Sequence, residues 1–298
     1  MVEGPDGVGM AQILYRRRGP ASIGYIPRGP VMTGDIPAVW ERLRREIDAS
    51  ARAHRAISVI VEPNQPLGLQ GRWRDAGLVG GPAHLQPGRT VVIPLGSDDD
   101  ILMGMHQKTR YNVRLAQRRG VTVRSCDRAA KDIETFYALL HDTSDRNAFG
   151  IHHLDYYRDF LEIFGNRTRM LFAEADGHTG AGLIVATFGE EAIYMYGASS
   201  TKHRAHGAAF YLQFEAMRWA REQGCKRYDL WGIPEVDPAM TSNETETAIG
   251  GTRGDDWRGL FRFKTGFGGE IVTYPRSLER RYLPVLPWLA RRLGVVKA

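Results

Sequence analysis

Hydrophobic and polar positions follow two periods along this chain, and each change of period marks an element. Residues 11–18 and 22–28 read as adjacent strands turned at Gly19-Pro20, the second leaving through Pro27 and Pro30. Asp35 and Pro37 open a helix whose apolar positions Trp40, Leu43, Ile47 and Ala51 keep helical spacing. Residues 56–61 are too apolar for a surface strand and stop at Glu62-Pro63. A short helix is expected over 73–78, and Gly80-Gly81-Pro82 marks the boundary between halves. The second half opens with a strand at 89–95, a helix at 108–119 closed by Gly120 and a strand at 121–126. Helices around 133–140 and 154–164 precede antiparallel strands at 170–174, 181–188 and 191–197. A helix over 208–221 and a strand over 226–233 follow. Each half thus runs from meandering strands through a helix to an apolar strand ending at a proline beside an acid (Glu62-Pro63, Pro234-Glu235). That rhyme reads as two copies of one α/β unit.

Residues 259–269 concentrate the candidate chemistry. Phe261 and Phe263 alternate with Arg262 and Lys264, the period of a half-buried strand with both cations on one face. Gly266, Gly268 and Gly269 permit a sharp bend just beyond. A fixed cation beside flexible glycines suits an anionic group or a developing oxyanion; the alternative is an edge strand that uses charge against aggregation.

Charge narrows the partners. A formal net charge of +6 favours an anionic one: nucleic acid, a nucleotide-linked substrate or an anionic membrane surface. Arg110, Arg114 and Arg118 recur every fourth residue and make one basic helical face, either solvated or phosphate-binding. Residues 278–298 mix Leu283, Leu286, Trp288 and Leu293 with Arg280, Arg281, Arg291, Arg292 and Lys297. They suit a packed terminal helix or one lying on an anionic leaflet. At 43% apolar residues the chain has ample material for one large core or two ordinary ones. Cys126 and Cys225 are far apart, which indicates neither a disulfide framework nor a zinc site and fits a reducing cytoplasm. His152-His153 has no third ligand at metal spacing, so no metal is expected. No apolar run is long enough for a membrane span. Residues 1–10, Gly-rich and acid-bearing, resemble neither a signal peptide nor a natural domain start.

Four stretches together carry a family resemblance: 108–116 (Lys-Thr-Arg-Tyr-Asn-Val-Arg-Leu-Ala), 193–200 (Ile-Tyr-Met-Tyr-Gly-Ala-Ser-Ser), 228–233 (Tyr-Asp-Leu-Trp-Gly-Ile) and 261–269. In this order over residues 11–285, they resemble the FemABX family of peptidoglycan-bridge aminoacyltransferases, also called lipid II glycyltransferases. The resemblance implies an α/β (α+β) chain of two acetyltransferase-like (GNAT-like) domains packed side by side. These are 1–85 with 277–298, N-terminally shortened, and 86–276, carrying Lys264. It implies transfer of an amino acid from aminoacyl-tRNA to a stem-peptide amine of a peptidoglycan precursor, lipid II or UDP-MurNAc-pentapeptide. Neither coenzyme nor metal is involved, and the inner membrane face is a possible contact.

The family's essential lysine falls on Lys264, next to Phe263, and its tyrosines on Tyr156 and Tyr196. His152 or His153 stands where the family places an arginine, and Arg28 joins the substrate contacts. Glu62 matches an acid that orients or deprotonates the attacking amine, or else serves structure. Lys108, Arg110 and Arg114 become candidate tRNA or phosphate contacts. Against the family's usual opening the chain starts late, which implies a missing precursor-contacting lysine or a misplaced start. The helical arm of some members is also absent from the sequence.

Two other classes compete. Residues 204–209 (Arg-Ala-His-Gly-Ala-Ala) fit the R-x-x-G-x-G/A loop that holds coenzyme A pyrophosphate, which would make an acyl-CoA N-acyltransferase. The arginine face and basic tail would suit a non-enzymatic nucleic-acid or membrane module, but aromatic residues are not interleaved as stacking platforms need.

Overall fold

The computed structural model describes residues 1–69, 73–126, 130–147, 150–200, 207–235 and 256–282. The terminal helix expected beyond residue 282, and Arg204, Ala205 and His206 of the coenzyme A-like loop, lie outside the described residues. Two compact units form: Met1–Gly88 with the segment from Thr273 onward, and Arg89–Val272.

Unit 1 contains β1 (Val2–Gly4), β2 (Gly7–Met10), β3 (Leu14–Arg18), β4 (Ala21–Pro27), β5 (Val31–Gly34), α1 (Ile36–Ala53), β6 (Ala56–Glu62) and β7 (Val79–Gly80). Residues 1–10 are a working part of it, because β1 and β2 pair antiparallel with each other and β2 with β5. Residues 73–78 form turns instead of the expected helix. Asp35 caps α1 by accepting from the Ala38 N–H at 3.3 Å. The helix buries Val39, Trp40, Leu43, Ile47 and Ala51 on one stripe, as the spacing predicts. Burying each large side chain contributes about 1.5–3 kcal/mol. α1 is the crossover between β4 and β6, which run parallel from Ser22↔Ala56 to Pro27↔Glu62 with one register shift between Ser22 and Ile23.

Unit 2 starts with β8 (Arg89–Pro94), α2 (Asp98–Gly104), α3 (Gln107–Arg118), β9 (Thr122–Ser125), α4 (Ala130–Asn147) and α5 (Leu154–Phe164). It continues with β10 (Thr168–Ala175), β11 (His178–Phe188), β12 (Glu191–Ser199), α6 (Ala208–Glu222), β13 (Arg227–Gly232), α7 (Asp256–Thr265) and β14 (Glu270–Thr273). Its sheet has seven strands, ordered β14-β8-β13-β12-β11-β10-β9. β10, β11 and β12 form an antiparallel meander, and α6 crosses over to β13, parallel to β12. One core lies against α3 and α6, a second against α4 and α5. Cys126 and Cys225 are both buried and neither is in a disulfide.

The strand expected around Lys264 is a helix. Residues two apart on α7 point to opposite sides, so Arg262 is exposed while Lys264 is buried, where a strand would have placed them on one face. Beyond the helix Gly268 and Gly269 take φ of 82° and 83°. A Cβ on Gly269 would stand 2.4 Å from the Val92 carbonyl oxygen, which is backbone and cannot yield. Gly269→Ala is expected to lower stability by about 1–3 kcal/mol, read as a shift in denaturation midpoint.

The chain returns to unit 1 as β15 (Leu278–Arg281), antiparallel to β6 and to β7. Buried Asp48 of α1 fastens this strand. It accepts from Arg280 Nη2 at 2.7 Å, from Arg280 Nε, and from the Tyr282 hydroxyl at 2.7 Å. Among the described residues no helix is long and apolar enough to cross a membrane.

Candidate active site

Two irregularities in the unit 2 sheet build the site. Hydrogen-bonded pairing of β12 with β13 covers Glu191↔Arg227, Ala192↔Tyr228 and Ile193↔Asp229, and stops there. In unit 1 the corresponding parallel pair, β4 with β6, stays paired to its last residues. Just past the divergence β12 bulges: Tyr194 and Tyr196 oppose the consecutive residues Val185 and Ile184. An unbroken strand would put the two tyrosines on one face. With Met195 inserted, Tyr194 joins the core against α3 and α6, and Tyr196 joins the core against α4 and α5.

The second irregularity is in β13, where Asp229 pairs with Val92 but Gly232 pairs with Thr90. Three residue steps on β13 face two on β8, and Trp231 absorbs the difference at φ 62°, a left-handed conformation uncommon for a large side chain. Asp229 holds it there. Its Oδ1 accepts from the Trp231 N–H at 2.6 Å and from the Thr90 hydroxyl. The turned backbone presents the Gly232 carbonyl to Lys264, whose Nζ donates to it at 2.8 Å. Lys264 is 6% exposed. An ammonium has three N–H donors, and among the described residues Gly232 takes the one that is committed. Burial pushes the Lys264 pKa down to about 8, against the opposing pull of the Asp229 charge. The Tyr194 ring centroid lies 5.8 Å from Nζ. Gly197 makes room for that tyrosine, since a Cβ there would fall 1.7 Å from its hydroxyl. Burial raises the Tyr194 pKa to about 12, with Gln213 bonded to its hydroxyl.

A cavity of about 620 Å³, within the usual size of a ligand site, is lined by Phe263 and Thr265, the chain neighbours of Lys264, while Lys264 itself does not line it. Its lining includes Tyr194, Gln213, Phe263, Lys108 at the start of α3 and Gly207-Ala208 at the start of α6. Gly207 has φ 70°, and a Cβ there would strike the Asn112 carbonyl oxygen at 2.6 Å.

On the other face of the sheet Tyr156 and Tyr196 meet, hydroxyl to hydroxyl at 2.9 Å. His152 stacks on Tyr156 with centroids 4.0 Å apart, and its backbone N–H donates to the Tyr157 hydroxyl at 3.3 Å. His153 is the α5 N-cap residue, without a side-chain capping bond. Burial, then the Tyr156 hydrogen bond, raises the Tyr196 pKa. Among the described residues no cluster of His, Cys, Asp and Glu completes a metal-ligand set.

The basic helix divides differently from its four-residue spacing. Arg110 is taken up by structure: its Nη1 donates to the carbonyls of Leu102, Met103 and Met105, capping the end of α2. Lys108, Arg114 and Arg118 are exposed, and Arg118 lies over the exposed Tyr111 at 5.8 Å.

Glu62 and Arg28 belong to unit 1. Glu62 is 1% exposed and three donors engage its carboxylate: Tyr25 hydroxyl at 2.6 Å, Leu85 N–H at 2.5 Å and Gln86 N–H at 3.1 Å. Arg28 donates to the Pro87 carbonyl and covers the Tyr274 ring at 3.4 Å. Sequence reasoning missed Asp229, Tyr194, Trp231 and Gln213. An acid inside the otherwise apolar stretch 228–233 was the available signal for Asp229.

The splayed β12/β13 pair with its bulge, following the meander and crossed over by a helix, gives unit 2 a GNAT-like fold, and the parallel β4/β6 pair joined by α1 repeats the crossover in unit 1, so the class is a GNAT-like fold in tandem. A tandem GNAT protein from the clavulanic acid biosynthesis pathway is similar at TM-score 0.50 and 12% identity, over 92% of this chain and 79% of that one. The crystal structure of FemX matches at TM-score 0.82 and 21% identity, over 96% of this chain and 88% of FemX. The lipid II:glycine glycyltransferase of Staphylococcus haemolyticus is 22% identical over 77% of this chain and 74% of its own length. The FemAB family model matches residues 78–179 and 177–290. The chain belongs to the FemAB family.

Proposed function

We propose that the protein transfers an amino acid from aminoacyl-tRNA to a stem-peptide amine of a peptidoglycan precursor, lipid II or its nucleotide-linked form, on the cytoplasmic side of the membrane. The observation that carries this reading is the buried Lys264 ammonium, held by Gly232 with two donors uncommitted among the described residues. The acceptor amine adds its lone pair to the ester carbonyl carbon, and negative charge gathers on the carbonyl oxygen. Lys264 donates to that oxygen. Collapse breaks the bond to the ribose oxygen, which takes the proton lost by the amine, and an amide remains. The ester is already activated, so this step requires no ATP.

The cavity receives the aminoacyl end of the tRNA, and Lys108, Arg114, Arg118 and Tyr111 supply cations and a ring for the adjoining nucleotides. Arg110 has no direct part. Tyr156, Tyr196, His152 and His153 contact the precursor. Glu62 acts as a positioning residue that pins residues 85 and 86, because three donors already take most of the acceptor sites of its buried carboxylate.

Two consequences are measurable. Tyr196→Phe removes one half of the hydroxyl pair and is expected to raise KM for the precursor roughly two- to tenfold at unchanged kcat. Added salt is expected to lower kcat/KM steeply, read as a log-log slope, through loss of the tRNA contacts. The proposal is tested by incubating the protein with charged tRNAs and each precursor form, then weighing the products. A gain of one amino-acid residue on the stem peptide supports it.

The start of α6 along the cavity favours a second reading, acyl-CoA-dependent N-acylation. Tight coenzyme A binding without aminoacyl-tRNA binding would select that reading and reject the first.

A further inference from the structure

One end of unit 1 gathers cations that neither the fold nor the proposed reaction uses. β3 presents Arg16, Arg17 and Arg18 in succession on the outer strand of its sheet, all exposed, with Arg16 and Arg18 toward one face and Arg17, whose Nε donates to the Gly19 carbonyl at 3.3 Å, toward the α1 side. Arg17 pairs across the hairpin with Ser22, whose N–H donates to the Arg55 carbonyl at 3.0 Å and whose hydroxyl donates to the His54 carbonyl at 2.8 Å. The end of α1 is thereby fixed beside the hairpin, and brings exposed Arg52 and Arg55 with it. Stacking of Tyr15 on His54, with centroids 4.0 Å apart, closes the same junction.

None of these five arginines has a carboxylate within ion-pair distance among the described residues. Glu46, the acid of α1 on the stripe that leads to His54, lies two turns back from the helix end. Arg55 itself has φ 50°, a backbone setting that glycine would relieve, so what arginine contributes there is its charge. An edge strand is protected against aggregation by a charge or two. That purpose accounts neither for three in a row nor for the two on the helix end, which are not on the edge.

An exposed apolar side chain shares this strand: Leu14 opens β3 at 50% exposure, on the same face as Arg16 and Arg18. Cations beside an accessible apolar side chain suit the interface of an anionic bilayer, where phosphates meet acyl chains. RNA fits less well, because the aromatic ring at this junction, Tyr15, is already stacked on protein. We propose that this end of unit 1 is a docking surface for an anionic phospholipid bilayer. Its use rests on the proposed reaction, since a lipid-linked acceptor lies at such a surface, but the binding itself is measured without any transfer.

The test is co-sedimentation of the full-length protein with phosphatidylcholine vesicles, with and without phosphatidylglycerol. The parent is expected to bind the phosphatidylglycerol vesicles and to be released by salt. The triple variant Arg16→Ser, Arg17→Ser, Arg18→Ser is expected to bind on the order of a hundredfold more weakly, and Arg52→Ser with Arg55→Ser about thirtyfold more weakly. Melting temperature should hold in both, because every replaced side chain is exposed. Parent-like vesicle binding by the triple variant, or no preference for phosphatidylglycerol in the parent, overturns the proposal. So does a triple variant that loses tRNA binding while still binding vesicles. Transfer to the nucleotide-linked precursor should be unchanged in both variants. If the parent itself shows no such transfer, the reaction reading fails and the vesicle result stands by itself.

Discussion

Replacing Lys264 by methionine is expected to lower kcat/KM for aminoacyl transfer by about 10²–10³, the usual loss when one donor to a developing oxyanion is removed. Methionine retains the unbranched bulk and deletes only the charge and its donors, so packing against Tyr194 and Phe263 should survive. The loss belongs in kcat rather than KM, because the interaction forms as charge develops. The pH dependence follows from the same burial. The Lys264 pKa is pushed from its ordinary 10.5 down to about 8, so the parent rate should fall as pH rises through about 8. Stability moves the other way: between about 8 and 10.5 the unfolded chain binds more protons than the folded one. Folding stability therefore rises with pH across that window, and Lys264→Met should abolish the rise.

Removing the Asp229 carboxylate should have the largest structural effect. Asp229→Ala strands the Trp231 N–H and the Thr90 hydroxyl without this acceptor and leaves the Lys264 ammonium buried without its opposing charge. The expected loss is about 3–5 kcal/mol, read by chemical denaturation. Asp229→Asn is the sharper probe, since an amide oxygen can still accept from Trp231 while the charge is gone. Because Asp229 holds the Lys264 pKa up against burial, the amide should move the high-pH limb of the rate to lower pH. A merely structural role for Asp229 would reduce stability and leave that limb in place.

The periodic elements were legible because burial on one face dictates their spacing. Trp40, Leu43, Ile47 and Ala51 announce α1, and the meander and crossover of unit 2 appear at the expected places. Phe261 and Phe263 misled because a short apolar run fits both periods; Leu260, Phe263 and Phe267 also recur at helical spacing. α2 was missed although Ser97 and Asp100 form a capping box, a signal present in the sequence. Neither bulge was legible. Nothing in the stretch 193–197 shows that Met195 is the inserted residue; plain alternation would put Tyr194 and Tyr196 on one face, and the sheet separates them. Likewise the left-handed turn at Trp231 depends on a carboxylate bond and on the partner strand β8, neither of which is a local property.

The exposure of Arg114 and Arg118 matches the basic helical face, and the diversion of Arg110 shows the limit of reading charge by spacing. A guanidinium within reach of a helix end is drawn to its carbonyls. Glu62 is a similar case: the acid at the end of β6 was visible, but the three donors that occupy it come from Tyr25 and from the backbone of residues 85 and 86.

The most direct measurement is the single-turnover transfer rate of the parent and of Lys264→Met, with aminoacyl-tRNA saturating and the precursor in excess, taken across pH. A buried ammonium at the reacting carbonyl predicts a parent rate that declines above about 8 and a variant slower by orders of magnitude at neutral pH, with tRNA affinity little changed. A variant that transfers at the parent rate would contradict it.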